Sequence, residues 1–201
     1  MEKETITISN LLVEIGRGIY GLGFDISESS INKLYKQSYS VFLNRLKDKK
    51  RKGLFIVGGI GTGKSAMMKV MQRLLKDTDC RFKWVNGYEL KDMSETYTLS
   101  EIKEYYGKDL LCDLYIDDIG FSVDVKRYGN TINIISEIII ERYDLYIESG
   151  YLTHFSSNIL PMIKDNPKNI PTIENIYGAR VLDRMKEMCE LITFNGQSLR
   201  K

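Results

Sequence analysis

Eight residues constrain this chain more than any others: Gly58, Gly59, Ile60, Gly61, Thr62, Gly63, Lys64 and Ser65. Gly58, Gly63, Lys64 and Ser65 occupy the fixed places of G-x-x-x-x-G-K-[ST]. The apolar run "GLFIVG" leads into this stretch and "SAMMKVMQRLLKD" leads out of it, so a buried strand turns into a helix there. Glycines let the backbone curl until successive N–H groups face one phosphate chain. The positive end of the helix reinforces them. Residues Gly58 to Ala66 are therefore expected to bind a nucleotide. Lys64 would reach its β- and γ-phosphates, and the Ser65 hydroxyl would coordinate Mg²⁺. A Gly-rich turn without a ligand matches the same letters, but seldom in this strand-to-helix context.

A second signal is independent of the first. Asp117 and Asp118 end the apolar run "LYI". An acid at a neighbouring strand end holds Mg²⁺ in P-loop ATPases, a role that falls to Asp117. Asp118 would orient or deprotonate the attacking water. A polar strand exit would read the same way.

Strand-like runs recur at "GLFIVGG", "FKWVN", "CDLYIDDIG", "YLTHFSSN" and "ELITFNG", separated by helical patterns such as "TINIISEIIIERYDLYIESG". This alternation predicts an α/β fold: a five-stranded parallel sheet sandwiched by helices. Residues 1–27 read as a Gly-interrupted, irregular N-terminal arm with at most a short helix, and residues 28–201 as the ATPase core. The 201 residues suit one core, and 43% hydrophobic with 28% charged is ordinary for a globular protein. Net charge is only +2, so nucleic-acid contacts would need a local patch. Cys80, Cys112 and Cys189 have no metal or disulfide spacing, which fits a cytoplasmic location. No run reaches membrane-spanning length.

The chain lacks N-K-x-D, which favours ATP over GTP, and lacks the arginine-rich lid pattern of small-molecule kinases. Asn158, closing "HFSSN", would emerge beside Asp117 and could hold the catalytic water, although an Asn ending a strand is also a common cap. "YIDDIG", the helix ending "ERY", "THFSSN", "YGARVLDRM" and "ITFNGQSLR" together resemble bacterial DnaC-type helicase loaders and the related IstB-type transposition ATPases. The resemblance covers roughly residues 28–201. It implies a P-loop NTPase of AAA+ type without a C-terminal lid domain, with Asn158 as its sensor of the γ-phosphate. It also implies an arginine finger acting on a neighbouring subunit's ATP, at Arg184 first and Arg180 second. From the residues alone those arginines read as a surface helix pairing with Asp183 or Glu187. Arg200 falls near a further phosphate-sensing arginine of some relatives.

The resemblance further implies self-association into a spiral or ring, a replicative helicase partner and single-stranded DNA. Loaders of this type usually carry a separate helicase-gripping domain where this chain has 27 residues. "GRGIYGLGFD" could instead sit against adenine, because AAA+ proteins often bind the base with backbone from before the first strand. DNA contacts are open between the basic run 45–53 and the loop carrying Lys126, Arg127 and Tyr128. His154, Met67, Met68 and Met71 read as core, and Trp84 belongs to no recognisable binding pattern. The expected function is ATP-driven loading or remodelling of a replicative helicase. The alternatives are a transposition ATPase that binds duplex DNA and a transposase, or a nucleotide kinase.

Overall fold

A computed structural model describes residues 8–26, 35–36, 38–40, 52–127 and 130–194. Of residues 27–50, whose apolar spacing is helical, only 35–36 and 38–40 are described, in helical conformation; the rest of that stretch, the basic run up to Arg51, Tyr128 and Arg200 lie outside the described residues.

Five strands form the predicted parallel sheet: β1 (Gly53–Gly58), β2 (Phe82–Asn86), β3 (Asp113–Ile119), β6 (Thr153–Ser157) and β7 (Cys189–Phe194). Their order is β2-β3-β6-β1-β7, and every neighbouring pair is parallel. Strand side chains alternate between two faces, and each face builds its own core. Leu54, Ile56 and Tyr115 point to one face and Phe55, Val57, Leu114 and Ile116 to the other. All of these are buried, which is why the strands read as unbroken apolar runs.

The first face is covered by α1 (Ile8–Tyr20) and α2 (Lys64–Leu75). Met67, Met68 and Met71 of α2 are fully buried there, as their helical spacing predicts. The irregular reading of the first segment is corrected for residues 8–20, which form a regular helix packed on α2. Of its two glycines, Gly16 serves close packing, whereas a Cβ on Gly18 would meet nothing within 4 Å. A Cβ on Gly16 would stand 2.0 Å from the ring of Phe24, so the chain after α1 folds back against the helix only because Gly16 has none. Leu12 and Ile26 are buried on either side of that turn.

The second face is covered by α3 (Gly87–Thr96), α4 (Leu99–Lys103), α5 (Ile134–Ser149), α6 (Ile173–Tyr177) and α7 (Ala179–Met188). A π-helical turn at Glu104–Lys108 continues α4. Gly150 ends α5 in the left-handed conformation, as its position in the sequence suggests. Arg142 of α5 is completely buried. Its guanidinium donates to the carbonyls of Leu110, Cys112 and Leu152 and to Thr153 Oγ1, which ties together the starts of β3 and β6. Burial lowers its pKa to about 10, so it stays charged at neutral pH.

One expected loop is a hairpin instead. β4 (Asp124–Arg127) pairs antiparallel with β5 (Asn130–Asn133) after the acid pair. Val125 and Ile132 pack on the second core, which gives this ribbon a buried side. The hairpin takes the first residues of the expected long helix. Asn133 caps α5 by accepting the Ser136 N–H at 3.1 Å, so the helix begins at Ile134. No helix among the described residues is long and apolar enough to cross a membrane.

Candidate nucleotide site

Where β1 meets α2, Gly61 and Gly63 take φ values of +79° and +94°, which side chains rarely adopt. The residues between the two elements thereby wrap around the start of the helix. Lys64 is its first residue, and its ammonium turns back across the loop. Nζ donates to the carbonyls of Gly58 and Gly59 at 2.8 and 2.9 Å and to Asn158 Oδ1 at 2.7 Å. Thr62 Oγ1 donates to the Gly59 carbonyl at 2.9 Å and closes the loop.

The parallel sheet brings three strand ends to this point. β1 supplies the loop, β3 supplies Asp117 and Asp118, and β6 supplies Asn158. Asp117 is buried, and one oxygen of its carboxylate accepts from three hydroxyls: Ser65 at 3.0 Å, Tyr115 at 2.6 Å, and Ser156. Tyr115 is a committed donor there, because burial and the nearby Asp117 charge hold its pKa well above the ordinary tyrosine value.

Asp118 does not simply follow Asp117. Ile116 pairs with Phe155 and Ile119 with Ser157, so three steps along β3 match two along β6. This bulge puts Asp118 in the left-handed region at φ +56°. Its backbone N–H donates to Ser156 Oγ at 2.9 Å, and its carboxylate accepts from Asn158 Nδ2 at 2.6 Å. Chemistry sets the orientation of that amide: its oxygen faces the lysine and its NH₂ faces the carboxylate. Asn158 therefore bridges Lys64 and Asp118.

A cavity of about 920 Å³ opens over these groups. The loop from Ile60 to Ala66 lines one side, with Asp117, Asp118, Ser156 and Asn158 at its end. Tyr20, Phe24, Asp25 and Ile26 line another side, so the Gly-rich segment suggested for the base does border the cavity. Tyr20 and Phe24 stack there with ring centres 5.7 Å apart. Asn86 and Tyr88 complete the wall, and Tyr88 stacks on Phe121 at 4.5 Å. Reasoning from sequence missed Tyr115, Ser156, Asn86 and Tyr88, whereas Tyr20 lies within the segment suggested for the base. The serine in "FSSN" was a legible signal; the others needed the fold.

A hydroxyl and one carboxylate side by side, at Ser65 and Asp117, are hard oxygen donors of the kind Mg²⁺ takes alongside waters and nucleotide oxygens. Among the described residues no group of three or more His, Cys, Asp or Glu could hold a metal by itself. The donor set of Ser65 and Asp117 fits a magnesium ion that would take its remaining ligands from water and phosphate oxygens.

Of the remaining residues singled out in the sequence, Arg180 is exposed at the start of α7. Arg184, one turn on, lies over the Tyr143 ring at 4.9 Å. Its Nη1 is buried without a hydrogen-bond partner among the described residues. Neither arginine lines the cavity. His154 is a structural residue: it is buried, and its Nδ1 accepts the Leu54 N–H at 3.0 Å across β6 and β1.

No protein-family model matches the chain, and no curated protein matches it. Solved structures do. The crystal structure of DnaI has a TM-score of 0.57 at 16% identity, over 89% of this chain and 88% of that one. The DnaC helicase loader has a TM-score of 0.54 at 17% identity, over 85% of this chain and 93% of that one. AMPPCP-bound DnaA from Aquifex aeolicus has a TM-score of 0.55 at 18% identity, over 85% of this chain but only 48% of the DnaA chain. The fold is therefore the AAA+ P-loop fold, and the resemblance to the DnaC type holds at the level of architecture.

Proposed function

We propose that this chain is an AAA+ ATPase of the DnaC/IstB type that acts in DNA replication, loading or remodelling a replicative helicase. The observation that carries the nucleotide part is the meeting of Lys64, Ser65, Asp117, Asp118 and Asn158 at three adjacent strand ends. The helicase part is supported by the likeness in fold to DnaI and the DnaC helicase loader.

In this reading residues Gly58 to Ala66 wrap the phosphates of ATP, and Lys64 contacts the β- and γ-phosphates. Ser65 and Asp117 would hold Mg²⁺, which screens phosphate charge when bound. Asp118 orients the water that attacks the γ-phosphorus as the bond to the ADP oxygen breaks. Asn158 links that carboxylate to the lysine, so the position of the water and the presence of the γ-phosphate are read by one side chain. Tyr20, Phe24 and the neighbouring backbone border the place for the base. Tyr20, Gly23, Phe24, Asp25 and Ile26 then belong to the nucleotide site as well as to the N-terminal arm. Subunits stack into a spiral or ring, and α7 offers Arg184, with Arg180 one turn away, to the next subunit's ATP. A guanidinium at that position typically raises turnover about 10³–10⁵-fold. Single-stranded DNA is the nucleic-acid partner in this reading.

The test is co-sedimentation with the host's hexameric replicative helicase, with ATP and without nucleotide, using the natural chain and Lys64→Ala. Saturable, ATP-dependent binding that Lys64→Ala abolishes is expected. Binding of a fluorescent ATP analogue by Lys64→Ala at unchanged affinity would remove the phosphate-loop assignment. Absence of helicase binding in both nucleotide states would remove the loader function and leave the ATPase.

A further inference from the structure

Two buried hydroxyls beside the nucleotide site, those of Tyr115 and Ser156, have no part in the function proposed above. Tyr115 precedes Asp117 by two residues on β3, so strand alternation puts both side chains on one face of the sheet. One step on from the Ile116–Phe155 pair, Ser156 lies beside Asp117 on the neighbouring strand. Tyr115 and Ser156 are both fully buried. A buried hydroxyl costs free energy unless it is hydrogen-bonded, and Phe or Ala would pack in these places without that cost. Packing therefore does not account for the two hydroxyls. Their common acceptor does.

Both donate to Oδ1 of Asp117, the oxygen that also accepts from Ser65 of the phosphate loop. Donors built into two strands fix the plane of this carboxylate with charge-assisted hydrogen bonds. They engage Oδ1 and leave Oδ2, which receives no hydrogen bond from the described residues. Ser156 does more. Its hydroxyl has one proton to donate and two lone pairs to accept with. The proton goes to Asp117, and a lone pair accepts the Asp118 N–H at 2.9 Å. That N–H belongs to the residue that the bulge holds at φ +56°. One oxygen atom thus fixes the carboxylate of the first acid and the strained backbone of the second.

We infer that Tyr115 and Ser156 are positioning residues: Tyr115 sets the carboxylate of Asp117 for the cation, and Ser156 sets Asp117 and Asp118 together. The inference rests on the roles that the proposed function gives those two acids, Mg²⁺ at Asp117 and the attacking water at Asp118. Tyr115 and Ser156 act only through the acids.

The experiment titrates the full chain, Tyr115→Phe, Ser156→Ala and Ser156→Thr with a fluorescent ATP analogue, in excess Mg²⁺ and in EDTA. It also measures kcat and KM for ATP. The natural chain is expected to bind more tightly in Mg²⁺. Tyr115→Phe keeps the ring, so its affinity in EDTA should be unchanged, which also shows that it folds. Its gain in affinity from Mg²⁺ should be roughly tenfold smaller, as when a group supporting a metal ligand is removed. Ser156→Ala should lose the same gain. At saturating Mg²⁺ it should also lose about tenfold in kcat with little change in KM, because the backbone of Asp118 is released. Ser156→Thr keeps the hydroxyl and should recover both. Equal loss of affinity with and without Mg²⁺ in Tyr115→Phe and Ser156→Ala would make the hydroxyls supports of the fold and overturn the inference. An undiminished gain from Mg²⁺ in both would overturn it as well. A kcat for Ser156→Ala no lower than that of Tyr115→Phe would remove the hold of Ser156 on Asp118. A natural chain whose affinity is indifferent to Mg²⁺ would instead take the cation away from Asp117, and the inference would fall with that assignment.

Discussion

Asp118 carries the sharpest residue-scale demand. It combines a left-handed backbone, a hydrogen bond from its own N–H to Ser156, and a carboxylate held by Asn158. Asn tolerates the same backbone region and has the same size, so Asp118→Asn should fold and bind ATP normally. It lacks the charge needed to polarise water, and turnover should drop about 10²–10⁴-fold. A steady-state phosphate-release assay beside ATP-analogue binding checks this; unchanged turnover would exclude Asp118 from the chemistry. The bulge in β3 is what re-aims Asp118 toward Asn158, and nothing in "YIDDIG" announces it. The identity of the two acids was legible. Their separation into a buried, three-hydroxyl acceptor and a bridged, exposed-side partner was not, because it depends on which residues of β6 lie opposite.

At the scale of elements, α1 is the informative case. Its sequence is interrupted by glycines, and propensity alone argues against a helix there. Burial of Leu12 against α2 and the fold-back of Phe24 over Gly16 override that propensity. Leu12→Ala should therefore cost about 2–5 kcal/mol, as for a fully buried core leucine. Urea unfolding followed by circular dichroism measures it. A change below about 0.5 kcal/mol would mean that α1 is a detachable arm. Because Tyr20 and Phe24 border the nucleotide cavity, the same variant should also weaken ATP-analogue binding. The β4–β5 hairpin was illegible for a related reason. Its short strands carry few apolar residues, and only contact of Val125 and Ile132 with the core makes them strands.

For the whole molecule, the proposed reading asks an arginine of one copy to reach the ATP of another. Arg184 is anchored on Tyr143, with one buried guanidinium nitrogen that has no hydrogen-bond partner among the described residues, whereas Arg180 is exposed. Neither arginine lines its own subunit's cavity, as a residue acting in trans requires. Arg184→Ala should bind ATP as the natural chain does but lose the rise in turnover with protein concentration. The same measurement on Arg180→Ala separates the two. Full concentration-dependent turnover in Arg184→Ala would move the role off Arg184. The released Tyr143 ring should cost Arg184→Ala only about 0.5–1 kcal/mol of stability, so the fold survives the test.

By itself the sequence marked the Gly-rich loop, the two acids and Asn158 as candidates, and located the five buried strands whose ends bring them together. Each of these is a local pattern: fixed letters at fixed spacing, or an apolar run bounded by glycine or polar residues. Strand order, the bulge and the packing of α1 were decided only in three dimensions. They depend on contacts between residues far apart in the chain, whose energies come from burial and register rather than from any residue's own preference.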